Sequence, residues 1–185
     1  FSSFRAGIYW APNTDLLGIA SGTEFFDCEP VLSIGGSQNT SVAAQGIPIR
    51  IVRGTVNQTS GTLTLSNCVI TCDTRLNQYA DNFSVVFPGI DVQSGASLSL
   101  TGCTVLAKEV SGYPIENWND AGYRWQSAVV WMEEGANVTV DGCAFESLNE
   151  LEGARTTFGI RSASGGSLVV RNNTSFSSFR AGIYW

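Results

Sequence analysis

Four stretches of the chain share one pattern of apolar and polar positions. GTLTLSNCVI from Gly61, ASLSLTGCTV from Ala96, ANVTVDGCAF from Ala136 and GSLVVRNNTS from Gly166 each begin with a small residue and then carry apolar side chains at alternate positions. Each then passes through Gly or Asn, followed by Cys in the first three and by Asn173 in the last. A fainter fifth copy, GTEFFDCEPV from Gly22, fits with one residue missing near its start. Alternation of this kind makes a strand with one buried face. Thr23, Leu63, Leu98, Val138 and Leu168 then form one inward column, and Phe25, Leu65, Leu100, Val140 and Val170 a second. The residue before each Cys or its counterpart is Asp27, Asn67, Gly102, Gly142 or Asn172. Gly, Asn and Asp tolerate left-handed backbone, so this column predicts one sharp bend repeated in every copy. A second strand starts at Cys28, Cys68, Cys103 and Cys143, with Ile70, Val105 and Phe145 two places on. A third strand precedes each first one, at IPIRIV from Ile47, FSVVF from Phe83, SAVVWM from Ser127, TTFGIR from Thr156 and RAGIYW from Arg5.

The segment FSSFRAGIYW occurs twice, at Phe1–Trp10 and at Phe176–Trp185, offset by 175 residues. The bend residues are spaced 40, 35, 40 and 30 apart, and a further 30 closes the same offset, so the pattern predicts five coils per period. Residues 1–175 are expected to be one repeat unit and 176–185 the start of the next. Three short strands per coil, with like residues in columns, predict an all-β chain, a right-handed parallel β-helix. A β-sandwich also suits short strands with turn signals, but it does not account for columns that recur at every coil. Neither end shows an amphipathic cap, so identical units are expected to stack end to end. At ~4.8 Å per rung, five coils would advance about 24 Å.

This rung pattern resembles the pectate-lyase-like superfamily of right-handed parallel β-helices over essentially the whole chain. The resemblance implies a fold and leaves the activity open, because that superfamily holds lyases, hydrolases, phage tailspikes and adhesins. Its carbohydrate-cleaving members use clustered carboxylates on an outward strand face, with Ca²⁺ or a basic residue nearby. Asn13-Thr14-Asp15 is similar to the Asn-Thr-Asp motif of polygalacturonases, but that family's Asp-Asp, Gly-His-Gly and Arg-Ile-Lys motifs are missing. Asp91 and Glu133-Glu134 follow equivalent strands and read as solvated charge. The insert from Ser111 to Ser127 carries Tyr113, Trp118, Tyr123 and Trp125, rings that either stack on sugars or pack the insert onto the coil. No catalytic residue, metal or cofactor is expected.

Composition narrows the partners. Hydrophobic residues make up 43% of the chain, enough for a continuous core. The net charge of −6 repels phosphate and argues against nucleic acid and anionic membranes as partners. No apolar run approaches the roughly 20 residues of a membrane span. There is no histidine and no Cys-x-x-Cys, which argues against zinc and against nucleophilic triads. Asn39, Asn57, Asn82 and Asn137 head Asn-x-Ser/Thr sites and are glycosylation candidates, with Asn57 expected in a turn and Asn137 outward on its strand. Asn172 and Asn173 are also sequons, but they occupy the bend and the inward Cys column and are expected to be unmodified and to hydrogen-bond within the stack. Stacked cysteines on adjacent rungs allow Cys28–Cys68 and Cys103–Cys143 disulfides, or equally a ladder of inert thiols; Cys72 lies outside the column. Taken together these features predict the structural repeat unit of an extracellular, N-glycosylated filament such as a surface or flagellar hair. The alternatives are a polysaccharide-binding adhesin stalk and a carbohydrate-active β-helix enzyme.

Overall fold

The computed structural model describes residues 8–10, 24–26, 32–34, 41–46, 48–52, 56–73, 89–108, 128–148, 158–162, 165–179 and 181–185. Among these the only regular structure is β, and every strand pair is parallel. The first sheet has seven strands: β1 (Ile8–Trp10), β3 (Leu32–Ile34), β6 (Val56–Gln58), β9 (Ile90–Val92), β12 (Ala128–Met132), β15 (Phe158–Ser162) and β18 (Ala181–Tyr184). The second has five: β4 (Ser41–Gln45), β7 (Thr62–Ser66), β10 (Ser97–Thr101), β13 (Asn137–Asp141) and β16 (Ser167–Arg171). The third has six: β2 (Glu24–Phe26), β5 (Pro48–Val52), β8 (Val69–Asp73), β11 (Thr104–Lys108), β14 (Ala144–Leu148) and β17 (Ser175–Ser177). From β3 onward the chain visits the sheets in strict rotation, which is the winding of a parallel β-helix. The uniformly parallel pairing excludes the antiparallel sandwich.

Four members of each predicted column are in register, while Thr23 lies outside the described residues. Leu63, Leu98, Val138 and Leu168 are in register, as are Leu65, Leu100, Val140 and Val170, in the second sheet. Ile49, Ile70, Val105, Phe145 and Phe176 form the matching column of the third. Residues between them alternate outward, as in β7, where Leu63 and Leu65 are buried and Thr62, Thr64 and Ser66 are half-exposed. Stacking like on like lets each rung bury its apolar side chains against the rungs above and below. Repeat folds depend on that contact, since no single coil has a core of its own.

The connections differ by corner. From the second to the third sheet, Asn67-Cys68, Gly102-Cys103 and Gly142-Cys143 are the entire link. From the first to the second, the links are also short, as in 93–96 and 133–136. From the third back to the first they vary widely, including 74–89, 109–127 and 149–157. From β3 onward every link longer than six residues enters at this corner, and this is why the bend spacing is irregular.

Several expectations need correction. Six coils, not five, separate β1 from β18. The coil that was missed turns at Gly46 (φ +66°), where Ile47 replaces the marker Cys. IPIRIV therefore does not precede a bend; it follows one, and β5 pairs with β8. Likewise β2, the strand before Asp27, lies in the third sheet, with Phe25 opposite Ile51, rather than in the second. Alternation looks the same in every sheet, so it revealed strands without revealing their sheet. Before β10 the strand of the first sheet is β9, while FSVVF lies outside the described residues. Six rungs at ~4.8 Å give an axial advance of about 29 Å per period.

Candidate functional site

The two ends of the ladder carry the same sequence. In the first sheet one column runs Ile8, Leu32, Val56, Ile90, Val130, Ile160, Ile183. Ile183 is the counterpart of Ile8 in the repeated segment, so after six coils the chain returns to the same residue in the same register. The neighbouring column closes likewise, from Tyr9 through Ser33, Asn57, Asp91, Trp131 and Arg161 to Tyr184.

The second copy of the segment is held by specific contacts. Phe176 stacks on Phe145 with centroids 4.8 Å apart at 22°. Tyr184 lies 4.9 Å from Phe158. The Arg161 guanidinium sits 4.3 Å from the Trp131 ring, 5.8 Å from Tyr184 and 5.9 Å from Phe158. Its Nε and Nη1 are buried without a hydrogen-bond partner, so the aromatic faces supply its local stabilisation; burial lowers its pKa from the ordinary value. Gly159 allows the closest approach, since a Cβ there would stand 2.7 Å from both the Gly182 carbonyl oxygen and a Phe176 ring carbon.

The last coil leaves its apolar columns open. Val140 and Ile160 are fully buried, but their register partners Val170 and Ile183 are 37% and 40% exposed, and Trp185 is 64% exposed. Leu168, Phe176 and Phe179 are half-buried at the edge of the core.

The described positions of the bend column share one backbone conformation. Asn67, Gly102, Gly142 and Asn172 all have φ between +53° and +61°. Their N–H groups point along the axis: Asn67 donates to the Thr101 carbonyl at 2.8 Å, Gly102 to Asp141 at 2.8 Å and Gly142 to Arg171 at 3.1 Å. A second left-handed column, Gly95, Gly135 and Gly165, turns the chain from the first sheet into the second. It was not anticipated, although the Gly that precedes each small residue in SGA, EGA and SGG was its signal.

Behind the bend, Cys68, Cys103 and Cys143 are buried thiols in one column, and no disulfide joins Cys103 to Cys143. The Cys103 N–H donates to Cys143 Sγ at 3.3 Å, and Cys103 Sγ–H to the Leu65 carbonyl at 3.3 Å. Its hydrogen bond with Cys143 and its burial push the Cys103 thiol well above the usual range, so it stays protonated. The ladder ends on Thr174, not Asn173. Ala144 pairs with Ser175, and Thr174 Oγ1 accepts the Cys143 N–H at 3.2 Å, as a sulfur does one rung earlier. Asn173 is therefore an extra residue in a widened corner, left-handed (φ +59°) and exposed; the expectation that it faces inward is overturned. Asn172 is exposed too, and its side chain donates to Asp141 Oδ1 at 2.6 Å beside the Arg171–Asp141 ion pair at 2.9 Å.

Of the glycosylation candidates, Asn137 begins β13 as an exposed, outward residue. Asn57 is not in a turn; it is the half-buried centre of β6, between Ser33 and Asp91. The structure brings Asp91 near Glu133: burial raises the Asp91 pKa, the Gln93 hydrogen bond opposes this, and the Glu133 charge adds to it. Glu133 and Glu134 are exposed. Asn39, Asn82, Asp27, Cys28, Asn13-Thr14-Asp15, Tyr113, Trp118, Tyr123 and Trp125 lie outside the described residues. Among the described residues no group of three or more His, Cys, Asp or Glu is placed to hold a metal, and no helix is long and apolar enough to cross a membrane. Comparison with protein-family models, with curated proteins and with solved structures finds no match to this chain.

Proposed function

We propose that the chain is the repeating unit of an extracellular, N-glycosylated β-solenoid filament in which successive units continue one coil. The observation that carries this is the register closure: the Ile8 column reaches Ile183, its own counterpart, six coils later. A unit that returns in phase can be followed by another without change of pitch or sheet. Burial of apolar surface and pairing of strand edges both favour such continuation. Glycan at exposed sequons such as Asn137 fits a surface-displayed rod, and a net charge of −6 per chain would keep rods apart laterally.

The test is a tandem of two units in one polypeptide, residues 1–175 followed by 1–185. Small-angle scattering should show a rod longer by about 29 Å than the single chain, six rungs at ~4.8 Å, with unchanged cross-section. Two independently tumbling bodies joined by a hinge would refute the proposal.

A further inference from the structure

We infer that the edge formed by β14 and β15 is a strand-acceptor site for the segment Phe1–Trp10 of a second copy of this chain. The inference rests on the stacked-unit reading above and specifies how separate copies join. In cis this edge is occupied by Phe176–Trp185, whose sequence is identical to Phe1–Trp10. Whatever selects the one therefore fits the other. The selection is specific: Phe145 takes the Phe176 ring, Gly159 admits the segment's backbone, Ile160 pairs with Ile183, and Phe158 and Arg161 take Tyr184.

Topology makes the exchange possible. In its own chain β1 pairs with β3 on one side only, and in the sheet order it is the outermost strand. If β18 is displaced, β1 of a second copy can add to β15 and keep its β3. The first sheet then runs β15, β1 and β3 across the junction, with Ile160, Ile8 and Leu32 in register as Ile160 and Ile183 are now. Such an interface is head-to-tail and leaves the same edge open at the far end, so it propagates instead of closing. Strand addition to an open edge is a general mode of association, and the side-chain pockets give it specificity. With β18 in place the acceptor is filled.

The test uses the full chain. Gly182→Val damages only the second copy of the segment, because the added Cβ would stand 2.8 Å from Phe176 Cβ and Cγ, while Gly7 in the first copy is untouched. Ile183→Asp, a charge placed opposite buried Ile160, is the second variant, used where the first does not fold. Each is titrated with a fluorescein-labelled synthetic FSSFRAGIYW peptide and with a scrambled control, and run in sedimentation velocity. The variants should bind the peptide at least tenfold more tightly than the unaltered chain and should form linear oligomers. Adding Gly159→Val, which obstructs the acceptor, should abolish both. A folded variant that neither binds nor oligomerises would overturn the inference, as would binding unaffected by Gly159→Val or equal binding of the scrambled peptide. A two-unit tandem that forms a continuous rod while peptide binding fails would remove trans-docking and leave the filament reading standing. A hinged tandem would remove the filament reading itself.

Discussion

Gly142 gives the sharpest test of the bend column. Its φ is +60°, and a Cβ there would meet only the Asn172 carbonyl oxygen at 3.4 Å. Substitution is therefore governed by backbone conformation with little steric clash. An L-residue in left-handed backbone costs about 1–2 kcal/mol, and the stiffer unfolded chain of Ala offsets roughly 0.4–1 of that, so Gly142→Ala should lose about 1 kcal/mol. Asn is the exception, because its short polar side chain suits this region, and Asn67 and Asn172 occupy the same column at φ +53°. Gly142→Asn should lie within a few tenths of a kcal/mol of the parent. The two variants should thus differ about fivefold in unfolding constant, read as a shift in urea midpoint at constant slope. Gly102→Ala should cost more than Gly142→Ala, because its Cβ would fall 2.5 Å from Asn67 Oδ1 and force that side chain aside. Equal losses for Ala and Asn at 142, or a larger loss for Asn, would refute the claim that left-handed backbone defines this column.

Thr174→Val should cost about 1–3 kcal/mol, because the Cys143 N–H loses its acceptor, whereas Thr174→Ser should be close to neutral; hydrogen exchange at the Cys143 amide reports the difference. Hydrogen bonding from Asn172 and then the Arg171 pair hold the Asp141 pKa below its ordinary 3.8. The stability this adds is present above pH 3.8 and lost as pH falls through the folded value, so Asp141→Asn should flatten the acid limb of the stability–pH curve. Asp91 behaves oppositely: burial raises its folded pKa above 3.8, so the fold loses stability as pH rises through that window, and Asp91→Asn should stabilise the chain at neutral pH while giving no gain at pH 3. Glycopeptide mass spectrometry of chain secreted from a glycosylating host should find sugar at the exposed Asn137 and Asn173 and none at the half-buried Asn57; the reverse distribution would contradict the strand phases given above.

The fold was legible wherever the alternation was reinforced by a second marker. Around Leu63, Leu98 and Val138 the apolar column, the bend residue and the Cys coincide, and there the register is as the spacing predicts. Gly46 lacks the Cys and β4 is the alanine-bearing SVAAQ, so that coil passed unseen and the count fell one short. The β2 segment imitates the pattern from another sheet, because alternation reports a buried face and nothing about which sheet owns it. Asn173 was misplaced for a different reason. A corner widened by one residue shifts the phase of all that follows, and only the pairing of Ala144 with Ser175 reveals it. The contacts that hold the repeated segment, above all Arg161 between Trp131 and Tyr184, join residues far apart in the chain and left no local signature.

From β3 onward the concentration of long inserts at a single corner has a mechanical consequence. Two of the prism's three corners are tied by backbone bonds and left-handed turns, and between β6 and β17 the links at each of them differ by one residue at most. At the remaining corner the stretches 74–89 and 109–127 differ freely in length while the strands they join stay in line. New material can therefore be spliced along one longitudinal seam without altering thread or stiffness, because lengthening a closed loop adds little entropic cost. Cargo peptides or epitopes grafted there would be displayed at regular intervals down a single side of the shaft.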